Sequence, residues 1–260
     1  MENIADSSPL TPHPSYTNFH ATRRVESRNP AQAGPKGLFV TGTDTGVGKT
    51  LISCALLHAF TAAGNSTVGM KPVAAGCVPG QGGLHCEDVE SLQRASSVRA
   101  PRELVNPYAF APPVAPHVAA AEAGVTIDLK HIRHAYLALA ELADKVVVEG
   151  VGGFRVPLDE FSDTADLAQL LDLPIVLVVG MRLGCLSHAM LTVEAIAARG
   201  LTLAGWVANR IEPDMERFDA NLEALRQRIV APLLGVVAFA PQPDAVRVAR
   251  GLLLPLLSQP

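Results

Sequence analysis

Apolar and polar positions along this chain alternate between two rhythms, short solid apolar runs and stripes that repeat every three or four residues. Leu38-Phe39-Val40 is the first solid run and predicts a buried strand. Leu51, Ile52, Ala55, Leu56 and Ala59 then fall on one helical face, which Ala63-Gly64-Asn65 closes. Residues 67–73 predict a second strand, 76–83 a flexible glycine-rich loop, and 87–92 a helix with an acidic cluster. Residues 107–116 carry Pro107, Pro112, Pro113 and Pro116 and so predict neither strand nor helix, but a rigid wall. Helical periodicity returns over 127–143. Val146-Val147-Val148, three β-branched residues in a row, predict a strand buried on both faces.

Strands at 175–179 and 203–208 follow, with Leu186, Ala189, Met190, Val193, Ile196 and Ala197 marking an amphipathic helix between them. Residues 222–229 read as helix, 234–237 as a last strand and 245–257 as a closing helix. Strand and helix alternate throughout. The expected fold is a single α/β domain over 37–260, a mostly parallel sheet covered by helices on both faces. Residues 1–36 are rich in Pro, Ser, Thr and Asn without either period, and read as a disordered N-terminal extension. They lack the apolar core of a secretory signal, and Glu2, Asp6 and Glu26 argue against a transit peptide despite Arg23, Arg24 and Arg28.

Between the first strand and the first helix lies Gly42-Thr43-Asp44-Thr45-Gly46-Val47-Gly48-Lys49-Thr50. Strand, glycine loop and helix form the setting of a phosphate-binding loop, which places the domain among P-loop NTPase-like folds. Glycines let the backbone turn its N–H groups towards an anion, and the helix beginning there adds the positive end of its dipole. Lys49 is placed to neutralise β/γ-phosphate charge, and the Thr50 hydroxyl to ligate the accompanying magnesium. The loop is one residue longer than the usual spacing, because its first glycine is Gly42 and not residue 43.

Three strand ends carry further candidates, since ligands of open α/β sheets sit at the carboxyl ends of the strands. Lys71 ends the second strand, Glu149 follows Val148 with Gly150, Gly152 and Gly153 behind it, and Asn209 and Arg210 end the 203–208 strand. By residue type alone, Lys71, Glu149 and the acidic cluster containing Asp88 also read as solvated termini and a solvated helix face. An acid after a buried strand is nevertheless where phosphate-loop proteins organise magnesium.

Composition removes several classes. With 260 residues and a formal net charge of −4, no basic surface invites nucleic acid. The longest apolar runs, at 173–179 and 252–257, are far short of the ~18 residues of a membrane span. Cys54, Cys77, Cys86 and Cys185 form no Cys-x-x-Cys pair. Cys77, His85 and Cys86 lack a fourth zinc partner at sensible spacing, so free thiols in a reducing cytoplasm are expected.

Taken together, the 42–50 loop, Lys-Pro-Val-Ala at 71–74, Val-Glu-Gly-Val-Gly-Gly at 148–153, Leu-Gly-Cys-Leu-Ser-His-Ala at 183–189 and Gly-Trp-Val-Ala-Asn at 205–209 resemble dethiobiotin synthetase. The resemblance runs in order from about residue 38 to the end. It implies a cytoplasmic, ATP- and Mg2+-dependent cyclo-ligase of biotin biosynthesis. Such an enzyme joins CO2 to 7,8-diaminopelargonic acid through a carbamate and a carbamic-phosphoric anhydride, giving dethiobiotin, ADP and phosphate.

Carried over by position, the resemblance makes Lys49 and Lys71 catalytic and Thr50, Asp88 and Glu149 the metal-organising set. It extends nucleotide binding over Gly46, Val47, Gly48, Lys49, Thr50, Leu51, Gly150, Val151 and Gly152, with Asn209, Arg210 and Ala238, Phe239 and Ala240 near the base. Thr45, Ala75, Leu183, Gly184, Cys185 and Ser187 would meet the diamine, the last four across a homodimer interface. Gly46 stands where some members have glutamate and Ala75 where some have serine. A partitioning-type ATPase switch is the competing reading. It is disfavoured because no extra lysine stands between Thr43 and Val47 and neither a membrane helix nor a basic DNA surface is evident.

Overall fold

The computed structural model describes residues 36–80 and 83–255. The expected disordered extension therefore lies, Lys36 apart, outside the described residues. In chain order the elements are β1 (Gly37–Gly42), α1 (Lys49–Ala62), β2 (Thr67–Met70), β3 (Val73–Ala74), β4 (Val78–Gly80), β5 (Gly83–His85), α2 (Glu87–Ala95), α3 (Arg102–Val105), β6 (Tyr108–Ala109), α4 (Pro116–Glu122), α5 (Leu129–Leu142), β7 (Lys145–Glu149), α6 (Thr164–Leu171), β8 (Ile175–Met181), α7 (Cys185–Ala198), β9 (Leu203–Arg210), α8 (Phe218–Arg228), β10 (Leu233–Val237) and α9 (Ala245–Ala249).

Six strands form the central sheet in the order β10-β9-β8-β1-β7-β2, and every neighbouring pair is parallel. Side chains alternate across it as the strand period requires. Leu38, Val40 and Val147 pack with Ile52, Leu56 and Leu57 of α1 on one face. Phe39, Val146 and Val148 pack with Ile132 and Leu139 of α5 and Leu167 of α6 on the other. Leu177, Val179 and Trp206 meet Ala189 of α7 and Leu225 of α8. A parallel sheet buried on both faces is thus the observed fold. No helix among the described residues is long and apolar enough to cross a membrane.

Several local expectations change. The 67–73 strand leaves the sheet after Met70, because Pro72 has no N–H to donate and the Lys71 N–H is taken by the Val105 carbonyl at 2.8 Å. Val73–Ala74 pairs with Tyr108–Ala109 instead, so the proline-rich 107–116 segment does contain a short strand. Pro116 opens α4 at the position where a missing N–H costs nothing. The loop expected at 76–83 contributes to an antiparallel hairpin, β4–β5. The closing helix ends at Ala249, and the chain turns back so that the Leu253 N–H donates to the Leu234 carbonyl at 2.8 Å. Helix α6, not among the expected elements, opens on Asp163-Thr164-Ala165-Asp166, a capping box in which Asp163 and Asp166 satisfy each other's backbone N–H groups.

Candidate active site

The chain reverses side at β1, which has β8 on one flank and β7 on the other. A crevice opens at such a switch point, beyond the carboxyl ends of the strands. Here it is a cavity of about 750 Å³ lined by the 44–50 loop, Lys71, Ala75, Asp88, residues 113–116, Glu149, residues 151–153 and Val156. The proline-rich wall expected beside a site is therefore part of it.

The loop owes its path to two left-handed glycines, Gly46 at φ 73° and Gly48 at φ 91°. A Cβ on Gly48 would also sit 2.2 Å from the Asn209 side-chain nitrogen, which donates to the Val47 carbonyl at 2.8 Å. Helix α1 starts at Lys49 with no side-chain cap and no acidic residue in its first turn. Its leading N–H groups and dipole are left uncompensated, the arrangement that favours an anion. The Lys49 ammonium donates to the Asp44 carbonyl at 2.8 Å. Burial, then the nearby Lys71 charge, pull its pKa down to about 8, against the opposing pull of Glu149, Asp88 and Asp44.

Strand alternation aims the remaining groups at the same place. Val147 faces α1, so Glu149, two residues on, does as well. Gly69 faces α2, where a Cβ would come within 2.8 Å of Leu92, and Lys71 continues that side. Asp88 lies one helical turn before Leu92 on the same stripe of α2. The result is a compact charge cluster. The Lys71 ammonium donates to Glu149 Oε1 at 2.6 Å, to Asp88 Oδ2 at 2.9 Å and to the Gly150 carbonyl at 3.2 Å. The Thr50 hydroxyl lies 2.8 Å from Asp88 Oδ1 and 2.9 Å from Glu149 Oε1, and its single proton serves one of them at a time.

Glu149 is only 1 % exposed and its Oε2 has no partner among the described residues. Burial works against the Lys71 charge, yet Glu149 and then Asp88 overcome it and hold the pKa above the ordinary lysine value. Burial likewise opposes ionisation of Asp88, and the Lys71 charge together with hydrogen bonds from Lys71 and Thr50 hold its carboxyl below the usual range. Lys71 and Glu149 are therefore buried and not solvated strand ends, and the half-buried Asp88 joins them in one cluster.

Thr45, Gly46, Ala75, Val151 and Gly152 line the same cavity. Other candidates lie elsewhere. Val47 is a core residue, and Leu51 packs partly against the α1-side core. Arg210 stacks on Phe218 at 5.1 Å and donates to the Pro213 carbonyl at 2.7 Å. Ala238, Phe239 and Ala240 border a separate cavity of about 360 Å³ past β10. Residues 183–187 do not line the main cavity, and they are not a loop throughout. Gly184, at φ 93°, caps α7, and the buried Cys185 side chain packs into the core. Leu183 is 95 % exposed.

Three supporting residues escaped sequence reading. Arg182 pairs with the Asp44 carboxylate of the phosphate loop. Asn106, buried, donates to the Lys71 carbonyl at 2.7 Å and to the Tyr108 carbonyl at 3.0 Å, and the Asn106-Pro107 dipeptide was its turn signal. Thr164 donates to the Phe154 carbonyl at 2.6 Å and accepts from the Val156 N–H at 3.0 Å, tying down the 150–156 segment. Among the described residues no group of three or more His, Cys, Asp or Glu side chains is placed to hold a metal ion.

A family model described as an AAA domain matches residues 36–247. The chain is 60 % identical over 221 residues to the ATP-dependent dethiobiotin synthetase BioD of Aromatoleum aromaticum, covering 85 % of this chain and 98 % of that one. It is 56 % identical over 210 residues to the ATP-dependent dethiobiotin synthetase BioD of Nitrosospira multiformis, covering 81 % and 91 %. Among solved structures, the MinD cell division protein of Aquifex aeolicus aligns with TM-score 0.49 and 14 % identity over 79 % of this chain and 82 % of that one.

Proposed function

The chain belongs to the ATP-dependent dethiobiotin synthetase family, and from that premise we propose how its cavity carries out the reaction. It is an ATP-dependent ligase of biotin biosynthesis that forms dethiobiotin. The substrates are 7,8-diaminopelargonic acid and CO2. One amine adds to the CO2 carbon and loses a proton, giving a carbamate. A carbamate oxygen then attacks the γ-phosphorus, and the bond to ADP breaks. The second amine attacks the carbamoyl carbon, phosphate departs, and the ureido ring closes.

The obstacle is repulsion between an anionic carbamate and an anionic triphosphate. Fixed positive charge at the meeting point is the remedy a protein can supply without reorganising at the moment of reaction. Lys49 and the first-turn N–H groups of α1 receive the β/γ-phosphates, while Lys71 faces the carbamate and the charge that develops as phosphate transfers. The pairing that holds Lys71 cationic also limits its freedom to wander, and orientation of this kind carries much of such a barrier. The 150–156 segment and the 113–116 wall confine the diamine between them.

Thr50, Asp88 and Glu149 are the residues that would hold Mg2+. The ion usually takes one or two carboxylates together with phosphate oxygens and waters, and the unpartnered Glu149 Oε2 suits that donor set. When bound, it supplies further charge neutralisation on the β/γ-phosphates. The protein functions as a homodimer in this reading. The exposed Leu183 and the absence of residues 183–187 from the lining of their own cavity support a role for them at the partner's diamine site.

The observation that carries the proposal is the meeting of Lys71, Glu149, Asp88 and Thr50 at the start of α1 inside one cavity. The test is phosphate release from Mg·ATP and bicarbonate, with and without the diamine, with dethiobiotin followed by mass spectrometry. Release that needs the diamine and matches dethiobiotin mole for mole is expected. Hydrolysis indifferent to the diamine would overturn the assignment.

A further inference from the structure

The β4–β5 hairpin carries chemistry that the ligase reaction does not use. Its antiparallel register pairs Val78 with His85, Pro79 with Leu84 and Gly80 with Gly83. One step further, Cys77 stands opposite Cys86. In such a ladder, hydrogen-bonded and non-hydrogen-bonded pairs alternate. Proline donates nothing and fits a non-hydrogen-bonded position, so Cys77 and Cys86, two steps from the Pro79 pair, share that class. The Cys77 N–H agrees, since it points away from Cys86 and donates to the Phe110 carbonyl at 3.0 Å.

Non-hydrogen-bonded pairs bring opposing Cα atoms to ~4.5 Å, inside the ~4.4–6.8 Å span of a disulfide. The two thiols also interact electrostatically, as the register that brings them opposite each other requires. Cys54 and Cys185 sit in other parts of the core, on α1 and α7.

We propose that Cys77 and Cys86 form a thiol modification site, which a peroxide or a low-molecular-weight disulfide oxidises to an intramolecular Cys77–Cys86 bond. With hydrogen peroxide, the two S–H bonds and the O–O bond break, the S–S bond forms and two waters leave. With oxidised glutathione, its own S–S bond breaks and two glutathione thiols carry off the protons. The reaction joins the first and last residues of the 77–86 segment. Cys77 lies two residues beyond Ala75, and Cys86 caps α2 two residues before Asp88, so the bond staples a segment flanked on both sides by residues that line the cavity. Burial pushes the Cys77 thiol up to about 11, which makes the exchange slow.

The full chain is incubated overnight at pH 8 with excess oxidised glutathione, its fold is checked by circular dichroism, and remaining thiols are blocked before digestion. The expected product is lighter by two hydrogens, with the peptides bearing Cys77 and Cys86 joined, and dithiothreitol reverses it. Cys54→Ser forms the same product, whereas Cys77→Ser and Cys86→Ser form none. Recovery of four blocked thiols in the native wild type, or joining through Cys54 or Cys185, would overturn the proposal. Oxidation with hydrogen peroxide under the same conditions must give the same pairing.

Discussion

Lys71 and Glu149 form a buried pair whose worth can be measured directly. Their side chains are 4 % and 0 % exposed and meet at 2.6 Å. Removing one partner of such a pair typically costs ~3–5 kcal/mol, because the other charge is left without compensation in a poorly solvated place. Lys71→Met strips Glu149 of its cation but leaves the Thr50 hydroxyl at 2.9 Å, so the lower end, about 3 kcal/mol, is expected. Loss of the Lys71–Asp88 contact adds little, since Asp88 is 41 % exposed and water screens it. A domain of this size shifts its melting point by ~2–4 °C per kcal/mol, which gives a fall of roughly 6–12 °C.

Replacing both partners, as Lys71→Met/Glu149→Leu, removes charge and desolvation together and is expected to restore most of the loss. The melts are run in EDTA without nucleotide, so that no added cation substitutes for Lys71. Lys71→Met, Glu149→Leu and the double variant should all lose dethiobiotin formation. A Lys71→Met melting point within about 2 °C of wild type, or a double variant no better than the sum of the singles, would refute the reasoning.

Gly48→Ala should abolish ATP binding by calorimetry while leaving the fold intact, because the new Cβ meets Asn209 at 2.2 Å and the φ of 91° disfavours any side chain. Thr164→Val, which leaves the Phe154 carbonyl and the Val156 N–H unpartnered, should cost about 2–4 kcal/mol in urea unfolding and raise the KM for the diamine more than it lowers kcat. Burial pushes the Cys54 thiol up to about 12, so its thiolate fraction at pH 8 is about 10⁻⁴ and brief iodoacetamide treatment should spare it until urea is added. Leu183→Asp places a charge on the surface assigned to the partner, so light scattering should show the dimer weakened and activity falling with dilution.

The elements that could be read from sequence were those whose physics is local. Leu38-Phe39-Val40 and Val146-Val147-Val148 announce buried strands because short solid runs of β-branched and aromatic residues suit a sheet covered on both faces. The 42–50 loop is legible because its glycines, lysine and threonine act in one contiguous stretch. Helices α3, α4 and α6 were passed over because short helices show too few turns for a period, and α6 was marked only by its capping box.

By itself the sequence determined the alternation of strand and helix, the phosphate loop and the family. It also determined which strand ends carried Lys71, Glu149 and Asn209. Tertiary structure decided what those side chains meet. Lys71 and Glu149 are 78 residues apart in the chain, and nothing near either one reveals that the other neutralises it. That pairing depends on strand order, which sets β7 between β1 and β2, and on side-chain alternation, which turns both groups to the sheet face that α1 and α2 cover. Burial then makes the choice unambiguous, because a charge withdrawn from water must find its partner within the protein.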